Sequence, residues 1–376
     1  MRSGTSPTKS FPSTAWERGF FQGSLLLSLR YSALLFVLFV SFVSFVVSIP
    51  SAAIAEEPFF KKGDVIALVG GEDMVAMSEY GYLELLLTRA LPEHRLKFRN
   101  LAWEGDTVFE QRRDLNFPPL EAQLDQVGAT VVLCQFGQME SLAGLDKLPV
   151  FRNAFEKLLQ RLGAGGRRKI LVIPPTSFIP SARWSAKTLT DLNFNLAGYV
   201  SGVFTSAREV PGADAINVAG PLGVGMERTG MPDGMHLDEK AHLLLGLGFA
   251  RMYVPALFGS QKLRQLGATF RNRDNFSEEE VKLMGKLQDE REKEIFDSSG
   301  PLRQLIIAKN RLWFDYWRVQ NWAFLAGDRT EQPSSRDHVD RTKRWFPAER
   351  EQFLPLIEAK EQEIWALAAK LSEQKQ

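Results

Sequence analysis

Residues Ala129 to Phe136 read ATVVLCQF. An unbroken apolar run rich in β-branched residues, with no polar alternation, suits a strand buried on both faces. It predicts a central strand of a parallel sheet. Shorter runs flank it. KKGDVIALVG, from Lys61 to Gly70, ends an apolar stretch on glycine, and Leu96 to Leu101, Lys169 to Ile173 and Ala215 to Val218 read as further strands. Between them, Met74 to Arg89, Val150 to Leu162, Leu189 to Glu209 and Ala241 to Leu257 carry helical spacing. Strands alternating with helices across residues 60–258 predict an α/β fold, a three-layer α/β/α sandwich around a parallel sheet.

Beyond Gly259 the pattern becomes helical. Ser277 to Phe296 is charged, with Ser277 and Glu280 placed as a capping box. Residues 300–325 form a tryptophan-rich helix, 326–344 a polar loop, and Phe346 to Lys370 a last helix. Residues 277–370 are therefore expected to be a helical extension. Its Trp313, Trp317, Trp322, Trp345 and Trp365 could stack on sugar rings, but tryptophans on helices more often pack, and Trp313 and Trp317 share one helix face.

The N-terminus has a different character. Arg18 and Arg30 precede an apolar run from Tyr31 to Ile49, followed by Ala53-Ile54-Ala55. An A-x-A site after such a run marks a secretory leader, so residues 1–55 are expected to be a cleaved signal peptide and the rest exported, either periplasmic or secreted. Uncleaved, residues 31–49 would be long enough to anchor the chain in a membrane.

Composition narrows the function. The 376 residues carry 46 Lys+Arg against 45 Asp+Glu, a net charge of +1, which argues against a nucleic-acid binder relying on bulk phosphate neutralisation. Cys134 is the one cysteine, so neither an intrachain disulfide nor a cysteine-built metal site can form. His94, His236, His242 and His338 make no HxH or HxxxH pair. No cofactor or metal is expected.

Four turns after apolar strands are candidate site positions, because ligands of parallel α/β sheets gather beyond the strand carboxyl ends. Gly70-Gly71-Glu72-Asp73 puts carboxylates at a helix start. In Trp103-Glu104-Gly105-Asp106-Thr107, Gly105 can let a backbone N–H face a ligand. Gly137-Gln138-Met139-Glu140-Ser141 follows the central strand, and Asp233-Gly234-Met235-His236 can set a carboxylate beside an imidazole. Each can also be read as an ordinary capped turn.

Taken together in this order, the four resemble the blocks of the SGNH/GDSL hydrolase family. FRNLAWEGDTV and FGQMESLAG are similar to phrases in exported members from planctomycete- and verrucomicrobia-like bacteria, and KNRLWFDYWRVQNWAFLAGDRT resembles the segment that follows their hydrolase core. The resemblance implies an ester-hydrolase fold and a possible small-molecule or glycan ester substrate. It implies catalytic roles for His236 and Asp233 and oxyanion or binding roles for Gly71, Gly105, Met139 and Glu140. It also shows departures. Glu72 takes the nucleophilic serine's place, with Gly81 and Glu84 fixing the register; a one-residue slip would put Asp73 there. Met139 takes the place of the oxyanion-donating asparagine and has no hydrogen to donate. Serine-esterase chemistry is therefore expected to be altered or lost, with Glu72 forming a buried ion pair with His236. The alternative is a non-catalytic carbohydrate- or partner-binding protein on the same fold.

Overall fold

The computed structural model describes residues 59–111, 113, 116–216, 233–259, 278–319 and 322–373, so the expected leader over 1–55, the cap at Ser277 and the strand position at Val218 lie outside the described residues. Residues Phe59–Gln376 form one compact unit. Its sheet consists of β1 (Val65–Gly70), β2 (Lys97–Asn100), β3 (Val131–Gln135), β4 (Lys169–Val172) and β5 (Ala213–Ala215). All neighbours pair in parallel, in the order β2-β1-β3-β4-β5. β3 is central, and every one of its residues is buried, whereas the edge strands β2 and β5 are half exposed. That is the burial expected of a parallel sheet covered on both faces.

Side chains alternate across each strand and feed two cores. Ile66, Leu68, Leu133 and Leu171 face one layer with Leu86, Leu245 and Phe249. Ala67, Val69, Val132, Cys134 and Val172 face the other with Phe151, Phe155, Tyr199 and Trp313. The first layer contains α1 (Glu72–Tyr80), α2 (Tyr82–Ala90) and α7 (Glu239–Tyr253); the second contains α5 (Leu148–Gly163) and α6 (Ala186–Glu209). The short α3 (Leu120–Gln126) and α4 (Gln138–Ser141) lie before and after β3. The chain thus has the expected three-layer α/β/α architecture.

Two expectations change. The single helix read over Met74 to Arg89 is two, because Gly81 adopts a left-handed conformation (φ +67°) that ends α1 with its N–H on the Met77 carbonyl. The tail's first two helices are one, α8 (Glu278–Trp317), about 60 Å long, running through Pro301. Ser298-Ser299-Gly300-Pro301 reads as a break. However, Ile295, Ser299, Leu302 and Ile306 on either side of it are all buried, and tertiary packing overrides local propensity.

Short α9 (Trp322–Leu325), α10 (Trp345–Glu351) and the long α11 (Phe353–Glu373) complete the chain. The tail packs on the core: Trp313 donates its indole N–H to the Asn100 carbonyl at 2.8 Å, and Trp365 donates to that of Leu96 at 3.2 Å. Trp313 and Trp317 stack at 5.2 Å, both buried. Among the described residues no helix is long and apolar enough to cross a membrane.

Candidate active site

With β2 on one side of β1 and β3 on the other, connections leave the sheet in opposite directions between β1 and β3. A crevice opens at their carboxyl ends. Gly70 makes this elbow possible. At φ +146°, a Cβ there would lie 2.6 Å from the Gln135 carbonyl oxygen of β3 and 2.7 Å from Met74. The chain turns at once into α1, with Gly71 as N-cap and Glu72 and Asp73 in the first turn.

The cleft beyond this elbow has a volume of about 260 Å³ and is lined by parts of all four turns, including Gly71, Glu72, Gly105, Met139 and His236. The structure thus brings the sequence-selected positions together. Asp233 lies beside His236. Its Oδ2 is 2.8 Å from His236 Nδ1, and its Oδ1 accepts the N–H groups of Met235 and His236, each at 2.9 Å. Burial acts upward on this carboxyl. The two backbone N–H groups and the imidazole outweigh it and hold the group down to about 2. A carboxylate on Nδ1 fixes the ring and leaves Nε2 as its basic nitrogen.

The two first-turn carboxylates differ. Glu72 is exposed at the cleft mouth and makes no ion pair with His236, so the expected buried Glu72–His236 pair is not formed. A side chain at the first helical position of α1 has water in front of it. Asp73 instead turns inward. It is 8% exposed and accepts the Leu237 N–H at 2.9 Å. Burial pushes its carboxyl up to about 6, against the pull of that N–H and of His236. The sequence offers Asp73 as a turn cap or as a slipped register, whereas Gly71 is the cap and Asp73 is buried; that burial depends on the His236 loop, which is remote in sequence.

The other positions sort by their contacts. Glu140 uses both carboxylate oxygens on backbone, accepting Val108 N–H and Gly137 N–H at 2.8 Å each. It therefore braces the second turn against the third. Met139 stands at the rim, 48% exposed. The neighbouring Gln138, not singled out from sequence, donates to the carbonyls of Thr176 at 3.2 Å and Met235 at 3.0 Å, tying three loops together. Asp106, which the sequence offers as a turn cap, is gripped by both terminal nitrogens of Arg113 at 2.7 and 2.8 Å. The Arg113 guanidinium lies over the Trp103 ring at 4.6 Å, while Arg318 of the tail approaches the same ring at 4.4 Å and bonds Glu104 and the Ala102 carbonyl at 2.6 Å. The second turn is thus held partly by the helical extension.

No serine or cysteine lines the described wall of the cleft. Ser78, the nearest downstream hydroxyl on α1, accepts from Asn100 at 2.8 Å and lines a separate cavity with Trp313 and Trp317. Among the described residues no group of three His, Cys, Asp or Glu side chains could hold a metal ion.

No family model matches the sequence, and no curated protein matches it significantly. Similar solved structures do exist. A gut microbial diltiazem-metabolizing enzyme is similar at 12% identity, covering 84% of this chain and 95% of its own, with a TM-score of 0.50. A chain from Slackia heliotrinireducens described as an SGNH hydrolase matches at 18% identity over 50% of this chain and 98% of its own, TM-score 0.39. A carbohydrate acetylesterase from Sinorhizobium meliloti matches at 13% identity over 52% and 100%, TM-score 0.38. Identities this low speak to fold alone. With its β2-β1-β3-β4-β5 parallel sheet and the four turns gathered at one sheet edge, the chain has the fold of the SGNH/GDSL hydrolases.

Proposed function

We propose that this is an exported SGNH-fold protein whose cleft binds a small ester- or sugar-like ligand and has lost serine-esterase turnover. One observation supports the loss above all. The α1 start, where a nucleophile would face the Asp233–His236 pair, carries Glu72 and Asp73 and no hydroxyl. A base oriented by a carboxylate needs a hydroxyl or thiol to activate if an acyl-enzyme is to form. Met139 also removes a side-chain donor from the third turn. The sugar-ester class rests on the acetylesterase among the similar folds and stays an analogy.

A second reading has support in Asp73. A carboxyl near 6 beside an imidazole could exchange a proton with bound water or substrate near neutral pH.

Hydrolysis of p-nitrophenyl acetate by the wild type and by E72S, M139N and the double variant tests the proposal. The wild type and M139N should show no turnover above buffer. The double variant should gain activity, and E72S alone should fall about 100- to 1000-fold below it for lack of one oxyanion donor. Wild-type turnover abolished by D73N would replace this reading with the carboxyl-based one.

A further inference from the structure

A cavity of about 210 Å³ lies on the seam between α1 and α8 and shares no wall residue with the cleft among the described residues. Its apolar walls are Val75 and Ala102 on the core side and Trp313, Phe314 and Trp317 on the tail side. The two indoles are buried and fixed. They stack on each other at 5.2 Å, and Trp313 donates its N–H to the Asn100 carbonyl. An apolar cavity of about 150 Å³ is enough to take benzene, so this one has room for a single ring with a substituent. Rigid aromatic walls favour a ring over a flexible chain, because a ring meets them edge-on or offset with little conformational entropy to lose.

Two polar groups interrupt the apolar wall. Asn310 is 7% exposed, and its amide nitrogen donates to the Ser78 carbonyl at 2.9 Å. That carbonyl can only accept, so the amide turns its nitrogen there and its oxygen away. The Asn310 Oδ1 has no partner among the described residues and is not sealed from solvent, and Asn310 lines the cavity. Ser78 Oγ accepts from Asn100 at 2.8 Å, while its own hydrogen has no acceptor among the described residues. Because Asn310 bonds the Ser78 backbone, the free acceptor and the free donor adjoin. Buried amide oxygens are normally paired. One hydroxyl can answer both groups, donating to Asn310 and accepting from Ser78.

Charge narrows the ligand further. The cations in the wall are already engaged, Arg318 on Glu104 and the Ala102 carbonyl and Arg311 on Asp315. Glu79, also in the wall, has no hydrogen bond or ion pair among the described residues. An anionic ring would meet this carboxylate without compensation.

From these features we infer that the seam cavity binds a neutral single-ring phenol, its ring against Trp313, Phe314 and Trp317 and its hydroxyl between Asn310 and Ser78. The inference goes beyond the reading of the cleft and does not depend on it. Three probes sharing one ring separate the hydroxyl, the bare ring and the anion: 4-methylphenol, toluene and 4-methylbenzoate, titrated into the purified protein by ligand-observed NMR. 4-Methylphenol should bind about tenfold more tightly than toluene, the worth of two hydrogen bonds, and 4-methylbenzoate should not bind. S78A should weaken 4-methylphenol about threefold and leave toluene unchanged. Asn100 keeps the Met74 and Val75 carbonyls in that variant, so α1 is not disturbed. I307W, from a half-buried position in the cavity wall, should fill the space and abolish binding of both. Equal binding of 4-methylphenol and toluene, binding of 4-methylbenzoate, no binding of 4-methylphenol, a hydroxyl preference untouched by S78A, or binding that survives I307W would each overturn the inference. Hydrolysis of p-nitrophenyl acetate reports on the cleft alone, so the two readings can fail separately.

Discussion

The cleft and the seam beneath the tail helices α8 and α11 both put ionisable groups out of water, and they treat them in opposite ways. At the seam each has a partner from the facing element. Lys309 of α8, fully buried, lies 2.9 and 3.0 Å from the two oxygens of Glu84 on α2; Arg99 reaches Glu361 at 2.6 Å; Arg89 donates to Ser299 at 3.1 Å. In the cleft Asp73 is equally buried and has a single backbone N–H, while Glu72 and Glu79 face solvent without a partner among the described residues. Charges buried for stability are paired where they are buried. Groups left short of partners in a concave place are the ones available to a ligand.

The largest expected effect comes from unpairing the seam. Burial pushes the Glu84 carboxyl up, and Lys309 is the main force opposing it. K309M removes that force and strands a buried carboxylate, so urea denaturation should show a loss of about 3–5 kcal/mol at pH 7. A carboxyl whose folded pKa is raised is destabilising above that pKa, so the loss should shrink as the pH falls and Glu84 takes up a proton. K309M/E84M should recover much of the deficit. A K309M variant as stable as the wild type would show that the seam charges are no more than tolerated.

The seam and the cleft were unequally legible in the sequence. ATVVLCQF announced the central strand because burial on both faces leaves an apolar run, and the four turns were readable because glycine and a following helix mark strand ends. The sandwich and the meeting of Gly71, Gly105, Met139 and His236 followed from those local signals. The paired charges of the seam had none: Lys309 and Glu84, like Arg89 and Ser299, are ordinary helix-surface residues until the tail folds back on the core. The same is true of Arg318 on Trp103. The division of the tail into helices over 277–296 and 300–325 failed for the complementary reason, since packing kept α8 whole through Gly300 and Pro301. At the site, the resemblance put weight on Glu72, but the structure buries Asp73, whose partner Leu237 lies far along the chain.

A smaller effect should come from Asp73 itself. Folded, it keeps its proton up to about pH 6, whereas its ordinary value is 3.8. Between these values the folded state binds more protons, so stability falls as the pH rises and the full cost remains at pH 7. D73N retains an acceptor for the Leu237 N–H and should add on the order of 2–3 kcal/mol at pH 7, with little gain near pH 4. His242 has the opposite slope. It is buried with neither ring nitrogen hydrogen-bonded among the described residues, and burial lowers it from 6.5 to about 4. The unfolded chain therefore binds more protons in that window, and stability rises with pH. The two slopes offset each other in the wild type. D73N should expose the His242 slope as a stability that climbs from pH 4 to 6.5, measured by urea midpoints across the window. A wild-type profile that already climbs as steeply as that of D73N would show that Asp73 is not held protonated, and a flat profile in D73N that His242 is not held neutral.

The smallest effect tests whether the tail reaches into the cleft. Arg318 acts in both regions. It leaves α8, lays its guanidinium over Trp103 and bonds Glu104 and the Ala102 carbonyl, just ahead of Gly105 and Asp106 in the cleft wall. R318K keeps the charge but loses the planar fork and much of the stacking, which should cost about 1 kcal/mol. That cost should be local, because Trp103 is also held by its N–H on the Gly70 carbonyl at 3.0 Å. Hydrogen exchange separates local from global loosening. The Asp106 amide, bonded to the Trp103 carbonyl at 3.1 Å, should exchange faster in R318K, while the β3 amides keep their protection. Arg311, two turns earlier in α8 and paired with Asp315 in solvent, is the control: R311A should change neither, since an exposed i,i+4 pair contributes at most a few tenths of a kcal/mol. Unchanged Asp106 exchange in R318K would mean that the second turn holds its shape without the tail, and that the seam stabilises the core without reaching the site.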